Sequence, residues 1–239
     1  MAKNKNTTND VFLPKYLLRD SAPFTLQEAY KTLRTNLIYS IPKSEGCICI
    51  GVTSASRGEG KSSSALNLAL SYAHIGKKVL LIDCDLRCPC LASRLHSKGI
   101  KGYPGMSELL IGSCALRDCI QNLTETSLDI LPSGKIPPDA TTLFESDNMS
   151  ALFDTLKEHY EVIVVDLPPV LSVVDAAILS RHLDGFVLVV RHNYTKLGAV
   201  EAMIRQLRLA DAKLLGFLYN DAPLESKKYG SYYYYAKKA

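Results

Sequence analysis

A glycine-rich stretch early in the chain carries the residue types that hold phosphate groups. It reads Ala55-Ser56-Arg57-Gly58-Glu59-Gly60-Lys61-Ser62, which fits the phosphate-binding loop (P-loop) pattern except that Ala55 stands where the first glycine is usual. Glycines let backbone N–H groups curl around phosphate oxygens, the lysine reaches the β- and γ-phosphates, and the hydroxyl is a Mg²⁺ ligand. We therefore predict a nucleotide site formed by Ser56, Arg57, Gly58, Glu59, Gly60, Lys61, Ser62 and Ser63.

Carboxylates follow two apolar runs further along the chain. Residues 79–82 lead into Asp83 and Asp85, and residues 162–165 lead into Asp166. If these runs are parallel strands, their carboxyl ends meet at the edge of the sheet where ligands bind. A single acid at a strand end could merely cap the next helix or turn. Three acids at two strand ends, beside a P-loop, favour one nucleotide crevice.

A cluster of phenolic hydroxyls lies at the end of the chain. Five of the 13 tyrosines fall within the last 11 residues, namely Tyr229, Tyr232, Tyr233, Tyr234 and Tyr235. Low-complexity tails of this kind can be no more than adhesive segments. Beside a nucleotide site, the cluster instead favours a set of phosphate acceptors.

The elements that must position these residues follow from hydrophobic patterning. Apolar runs of about five residues alternate with longer amphipathic stretches, the pattern of parallel strands joined by helices on both faces. We predict strands at 47–52, 79–82, 162–165, 186–190 and 214–219, with a weaker one at 128–131. Helices are predicted at 25–40, 62–75, 149–159, 175–180 and 195–209. The fold class is therefore α/β, with a doubly wound, mostly parallel sheet.

Composition divides the chain into three parts: a flexible N-terminal segment (1–24), the P-loop domain (25–222) and a mobile tyrosine-rich tail (223–239). The net charge of +4 is mild, so we expect no binding to nucleic acid. No run approaches about 18 to 20 apolar residues and no signal peptide is recognisable, so we expect a cytoplasmic protein. The seven cysteines include CxC spacings but lack the CxxC of zinc or redox sites, which favours structural roles over metal or redox chemistry.

Together these motifs resemble the bacterial tyrosine kinases (BY-kinases) that regulate capsule and exopolysaccharide synthesis. That family combines a P-loop, an apolar run with DxDxR, a second with DxxP and a terminal tyrosine cluster, and the resemblance runs from about residue 24 to the end. Ser56 stands where the related partitioning and septum-positioning ATPases carry an extra lysine. Its presence favours the kinase branch within the partitioning-ATPase-like P-loop NTPases.

The resemblance implies transfer of the γ-phosphate of ATP to tyrosine, with Mg²⁺ as cofactor. Phosphoryl transfer has a loose transition state, so the protein mainly positions groups and neutralises charge. Lys61 is expected at the phosphates. Mg²⁺ is expected on Ser62, with Asp85 and Asp166 holding it directly or through water.

Three further residues receive roles. By resemblance, Asp83 orients the tyrosine hydroxyl and accepts its proton, and Asn220 reads the adenine edge. Arg87 is expected either to position the acids or to contact a phosphate. The predicted catalytic set is Lys61, Asp83, Asp85, Arg87 and Asp166.

The resemblance also implies partners. Glu28, Lys31 and Arg34 match the ExxRxxR helix that forms subunit contacts in the family, with Lys31 replacing the middle arginine. We expect a homo-oligomeric ring, for which the resemblance allows an octamer. In this ring, one subunit would phosphorylate the tail of another. The chain resembles the Gram-positive arrangement, in which a separate membrane-spanning activator of the polysaccharide co-polymerase type recruits the kinase to the inner face of the membrane.

Two other functions fit the same motifs. A nucleotide-switched, partitioning-type ATPase would use the P-loop and acids without phosphorylating protein. An iron–sulfur cluster carrier on this fold is disfavoured by the missing CxxC. ATP hydrolysis alone does not separate the kinase from the switch, whereas phosphotyrosine does.

Overall fold

One mixed sheet runs through the part of the chain that the structure describes. The computed structural model describes residues 17–19, 21–41, 46–124 and 126–223. Within them the strands are β1 (Ile48–Ser54), β2 (Val79–Asp83), β3 (Gln121–Asn122), β4 (Leu128–Leu131), β5 (Val162–Asp166), β6 (Gly185–Arg191) and β7 (Leu214–Asn220). Their spatial order is β3-β4-β2-β5-β1-β6-β7, with β3 antiparallel to β4 and every other pair parallel.

Helices cover both faces of this sheet. They are α1 (Phe24–Ser40), α2 (Lys61–Ala73), α3 (Leu91–Leu95), α4 (Met106–Ile111), α5 (Leu116–Cys119), α6 (Ala140–Glu145), α7 (Asp147–His159), α8 (Asp175–Leu179) and α9 (Leu197–Leu209), with short 3₁₀ turns at His96–Lys98 and Ser180–His182. No helix in the described ranges is long and apolar enough to cross a bilayer.

Two hydrophobic cores lie on opposite sides of the sheet. Successive strand residues point to opposite faces, so Cys49 joins the core formed with α7 and α9, whereas Ile50 joins the core formed with α1 and α2. Both residues are fully buried. Strands covered on both faces must be apolar throughout, as the sequence pattern indicated. The doubly wound α/β prediction is confirmed.

The six predicted strands are found with ends that differ by at most two residues, but part of the chain was not foreseen. Between residues 88 and 126 the structure forms α3, α4, α5 and the two-residue strand β3. Elements this short leave too few residues to display a period.

Residues that pack against the domain are also found before the predicted boundary at residue 25. Leu17 and Leu18 are buried, and the Leu18 N–H donates to Asn67 Oδ1 at 2.8 Å. Because its two leucines are buried, this stretch packs against α2. The polar residues around it hid this packing in the sequence. Residues 1–16 and 224–239, to which we assigned flexibility, lie outside the described residues.

Candidate active site

The predicted P-loop connects the end of β1 to the start of α2. Gly58 and Gly60 have φ angles of +82° and +95°, in the left-handed region that side chains disfavour. A Cβ on Gly60 would also displace the side-chain amide of Asn220, which donates to Glu59 O, so both the φ angle and this contact favour glycine. Lys61 and Ser62 are the first residues of α2, where free N–H groups and the helix dipole favour an anion.

The predicted acids meet beside this loop. Asp83 and Asp166 are direct partners in the parallel pairing of β2 with β5, and β5 in turn pairs with β1. Lys61 Nζ lies 2.7 Å from Asp85 Oδ2 and 3.5 Å from Asp166 Oδ1. The same ammonium donates to Ser62 Oγ at 3.3 Å. The structure therefore brings together four of the residues predicted for phosphate and metal.

Burial makes the electrostatics of this cluster strong. The Lys61 side chain is 10% exposed, and burial alone would lower its pKa, but the charges of Asp166 and Asp85 outweigh this and raise the pKa. Burial, reinforced by Asp166, raises the pKa of Asp83 to about 7. Burial also raises the pKa of Asp166. The two carboxylates of Asp85 and Asp166 share one ammonium, which leaves the cluster attractive to a further cation.

An unpartnered oxygen shows where such a cation fits. Among the described residues, Asp166 Oδ2 is buried without a hydrogen-bond partner, an expensive arrangement unless something else binds it. Mg²⁺ prefers oxygen ligands. Asp166 and Asp85 offer carboxylate oxygens, and Ser62 offers a hydroxyl. The residues present fit the predicted Mg²⁺ site.

Asp83 has a different environment from the other two acids. It is fully buried, its Oδ1 accepts from the Asp85 N–H at 3.2 Å, and its Oδ2 accepts from the Leu91 N–H at 3.3 Å. The carboxylate thus holds the turn that follows β2. Its assignment as proton acceptor stays a prediction.

Arg87 is directed to a residue that the sequence analysis missed. Its Nε and Nη2 donate to the two oxygens of Asp175 at 2.9 and 3.1 Å, and Nη2 also donates to Thr141 Oγ1 at 2.9 Å. Asp175 is fully buried, whereas Arg87 is 42% exposed. In sequence, Asp175 resembled an ordinary acid in the first turn of a helix, and only its partner reveals it. Arg87 therefore ties the turn after β2 to α6 and α8.

The remaining predicted nucleotide residues also surround the loop. The Ser56 N–H donates to Glu59 Oε2 at 2.9 Å, and Asn220 Nδ2 donates to Glu59 O at 2.9 Å. Ser63 Oγ accepts from Arg94 at 2.7 Å. The chain that the structure describes contains no group of three or more cysteine, histidine or acidic side chains arranged to hold a metal ion by themselves.

Comparison with known proteins decides the family. A family model described as an AAA domain matches residues 48–216, from β1 into β7. Tyrosine-protein kinase CpsD of Streptococcus agalactiae is 34% identical over 212 residues, which cover 89% of this chain and 90% of that protein. The chain belongs to the bacterial tyrosine-protein kinase family. YwqD of Bacillus subtilis (strain 168), another tyrosine-protein kinase, is 36% identical and covers 88% of this chain and 86% of its own length.

Solved structures have the same fold as this chain. The chimerical protein CapA2B2 superposes with a TM-score of 0.76 at 33% identity, covering 82% of this chain and 84% of its own. The kinase domain of the Escherichia coli tyrosine kinase ETK superposes with a TM-score of 0.75 at 30% identity, covering 83% of this chain and 78% of its own. The P-loop and the acids described above thus lie on a fold that this chain shares with a bacterial tyrosine-kinase domain.

The residues predicted for subunit contacts lie on α1 of this kinase. Lys31 and Glu28 form an ion pair of 2.7 Å at the surface, and Arg34 donates to Ser71 O of α2 in the same chain. The first two side chains remain accessible, while Arg34 fastens α1 to α2. The predicted phosphate acceptors, Tyr229, Tyr232, Tyr233, Tyr234 and Tyr235, lie outside the described residues.

Proposed function

We propose that this kinase transfers the γ-phosphoryl group of ATP to tyrosines of its own C-terminal tail, acting between subunits of a ring. The observation that carries the proposal is the buried cluster of Lys61, Asp85 and Asp166 beside a P-loop, in a chain with five tyrosines among its last 11 residues. Through this reaction we infer that it regulates capsule or exopolysaccharide synthesis and export.

The cluster can supply the charge that phosphoryl transfer needs. Mg²⁺ held by Ser62, Asp85 and Asp166 would neutralise charge on the β- and γ-phosphates. In this structure the Lys61 ammonium neutralises the two aspartates. Because Lys61 belongs to the first turn of α2, a rotation of its side chain would bring the ammonium to the phosphate-binding side of the P-loop. We propose that Lys61 turns to the phosphates when its carboxylate partners bind the metal.

Asp83 is our proposed acceptor of the tyrosine proton. A tyrosine hydroxyl has a pKa near 10, so its proton leaves late and a carboxylate suffices as acceptor. Of the three acids, Asp83 is the one without an ion pair to Lys61 in the described contacts. Asn220 is proposed to read the adenine edge, for which its Oδ1 and the second N–H of its amide nitrogen remain when Nδ2 donates once to Glu59 O.

Phosphorylation of the tail would change its charge and, we infer, the stability of the proposed ring. Each phosphotyrosine adds about −1.5 to −2, so five would change the tail by roughly −7.5 to −10, against a net charge of +4 for the chain. A ring held by tails docked in neighbouring acidic sites would then loosen. We propose that the ring is built through α1 and that a membrane-spanning activator recruits the kinase from the cytoplasm to the membrane.

Intact-mass measurement tests the proposed function. The protein is incubated with Mg-ATP, with and without the cytoplasmic segment of its activator, beside a Lys61→Met variant. Successive phosphate additions that map to the tail and are absent from Lys61→Met are expected. ATP turnover without any addition, even with the activator segment, would instead identify a nucleotide-switched ATPase.

A further inference from the structure

Three consecutive carbonyl groups of the P-loop are each bound from outside the loop by a side chain. Tyr194 OH donates to Arg57 O at 3.0 Å, Arg191 Nη1 donates to Gly58 O at 3.0 Å, and Asn220 Nδ2 donates to Glu59 O at 2.9 Å. The donors come from the end of β6, the turn after it and the end of β7. We call Arg191, Tyr194 and Asn220 the carbonyl brace.

Peptide geometry gives the brace a consequence for phosphate binding. In a trans peptide the C=O of one residue points opposite to the N–H of the next. Holding the carbonyls of residues 57, 58 and 59 outward therefore holds the N–H groups of Gly58, Glu59 and Gly60 on the other side of the loop. Inward N–H groups attract phosphate oxygens, whereas an inward carbonyl would repel them.

A second set of contacts fixes the loop through the Glu59 side chain, which is almost fully buried. Its Oε1 accepts from Thr195 Oγ1 at 2.6 Å, and its Oε2 accepts from the Ser56 N–H. Thr195 Oγ1 in turn accepts from the Arg191 N–H at 2.9 Å. The turn at residues 191–195 thus binds the P-loop in two ways, through backbone carbonyls of the loop and through the Glu59 carboxylate.

We propose that Arg191, Tyr194 and Thr195 are positioning residues that keep the P-loop in its phosphate-binding conformation. The proposal rests on the nucleotide site of the proposed function. Arg191 is itself fixed by Asp221, whose Oδ2 accepts from its Nη2 at 2.9 Å, and its guanidinium lies over the Tyr194 ring at 5.3 Å. Charge, stacking and hydrogen bonding therefore preset the donors before nucleotide arrives.

Binding of a fluorescent ADP analogue in the presence of Mg²⁺ tests this role. Tyr194→Phe removes one hydroxyl, and Tyr103→Phe is its matched control, because both tyrosines are 52% exposed. The loss of one part-exposed hydrogen bond predicts a rise in Kd of about threefold to fivefold for Tyr194→Phe and no change for Tyr103→Phe. Arg191→Met, which loses a charged donor, should raise Kd by about tenfold or more.

Thr195 separates positioning from simple stability. Thr195→Ser keeps the hydroxyl and should bind as the wild type does, whereas Thr195→Val should bind more weakly. The melting temperature without nucleotide should stay within about 2 °C of the wild type for Tyr194→Phe. A Kd equal to the wild type in both Tyr194→Phe and Thr195→Val overturns the proposal, as does a loss of affinity that merely tracks a loss of melting temperature.

The readout does not depend on phosphotyrosine. If the wild type binds nucleotide but never phosphorylates its tail, the proposed function fails while the brace can still be measured. If the wild type phosphorylates its tail and the variants of Arg191, Tyr194 and Thr195 bind nucleotide normally, the positioning role alone fails.

Discussion

Arg87 offers the sharpest prediction about the architecture of the site. Arg87→Met would leave Asp175 fully buried with neither of its two guanidinium bonds. Breaking a buried ion pair from one side costs about 3–5 kcal/mol. Because Arg87 is 42% exposed, water can partly replace it, and we expect a loss of about 2–3 kcal/mol in the free energy of unfolding.

The converse change should cost less. Asp175→Asn keeps a polar group in the buried position and releases an arginine that water can solvate, so we expect a loss of about 1 kcal/mol. The double variant should be more stable than Arg87→Met alone, because it no longer buries an uncompensated charge. Urea unfolding at equilibrium measures all three. Arg87→Met being the less damaging of the two single changes would refute the reasoning.

Two further predictions concern backbone and pH. Gly60→Ala should weaken nucleotide binding by at least about tenfold, since φ is +95° there and the added Cβ would displace the Asn220 amide from Glu59 O. Gly198→Ala in α9, where a Cβ would meet nothing within 4 Å, should instead stabilise the fold by about 0.5–1 kcal/mol. Titration with the ADP analogue measures the first effect and thermal melting the second. Burial, aided by the charge of Arg181, lowers the pKa of His182 below 6.5, so below pH 6.5 the unfolded chain binds more protons and the wild type loses stability. The melting temperature should therefore fall less between pH 7.5 and 5.5 for His182→Gln than for the wild type. An equal fall in both proteins would contradict the lowered pKa of His182.

Some parts of the candidate site could be predicted because they depend on short sequence patterns or on the order of the strands. The glycine spacing defines the P-loop, because left-handed φ angles are needed at Gly58 and Gly60. The acids followed from topology, since parallel strands place their carboxyl ends at one edge and pair Asp83 with Asp166.

What the sequence concealed depends on contacts between distant residues. Asp175 lies 88 positions from Arg87, and Thr195 lies 136 positions from Glu59. No short pattern can show which arginine neutralises a buried acid or which hydroxyl binds a loop carboxylate. The strand β3 was not predicted for a different reason, because two residues are too few to show an alternation of apolar and polar side chains.

Transfer between subunits is the central claim, and a mixing experiment tests it most directly. The acceptor is the Lys61→Met chain, and the donor carries phenylalanine at Tyr229, Tyr232, Tyr233, Tyr234 and Tyr235. The two are mixed with Mg-ATP and the cytoplasmic segment of the activator, and each chain's mass is measured. We predict up to five phosphates on the Lys61→Met chain in the mixture and none when it is incubated alone. An unmodified Lys61→Met chain, while the donor consumes ATP, would contradict the account.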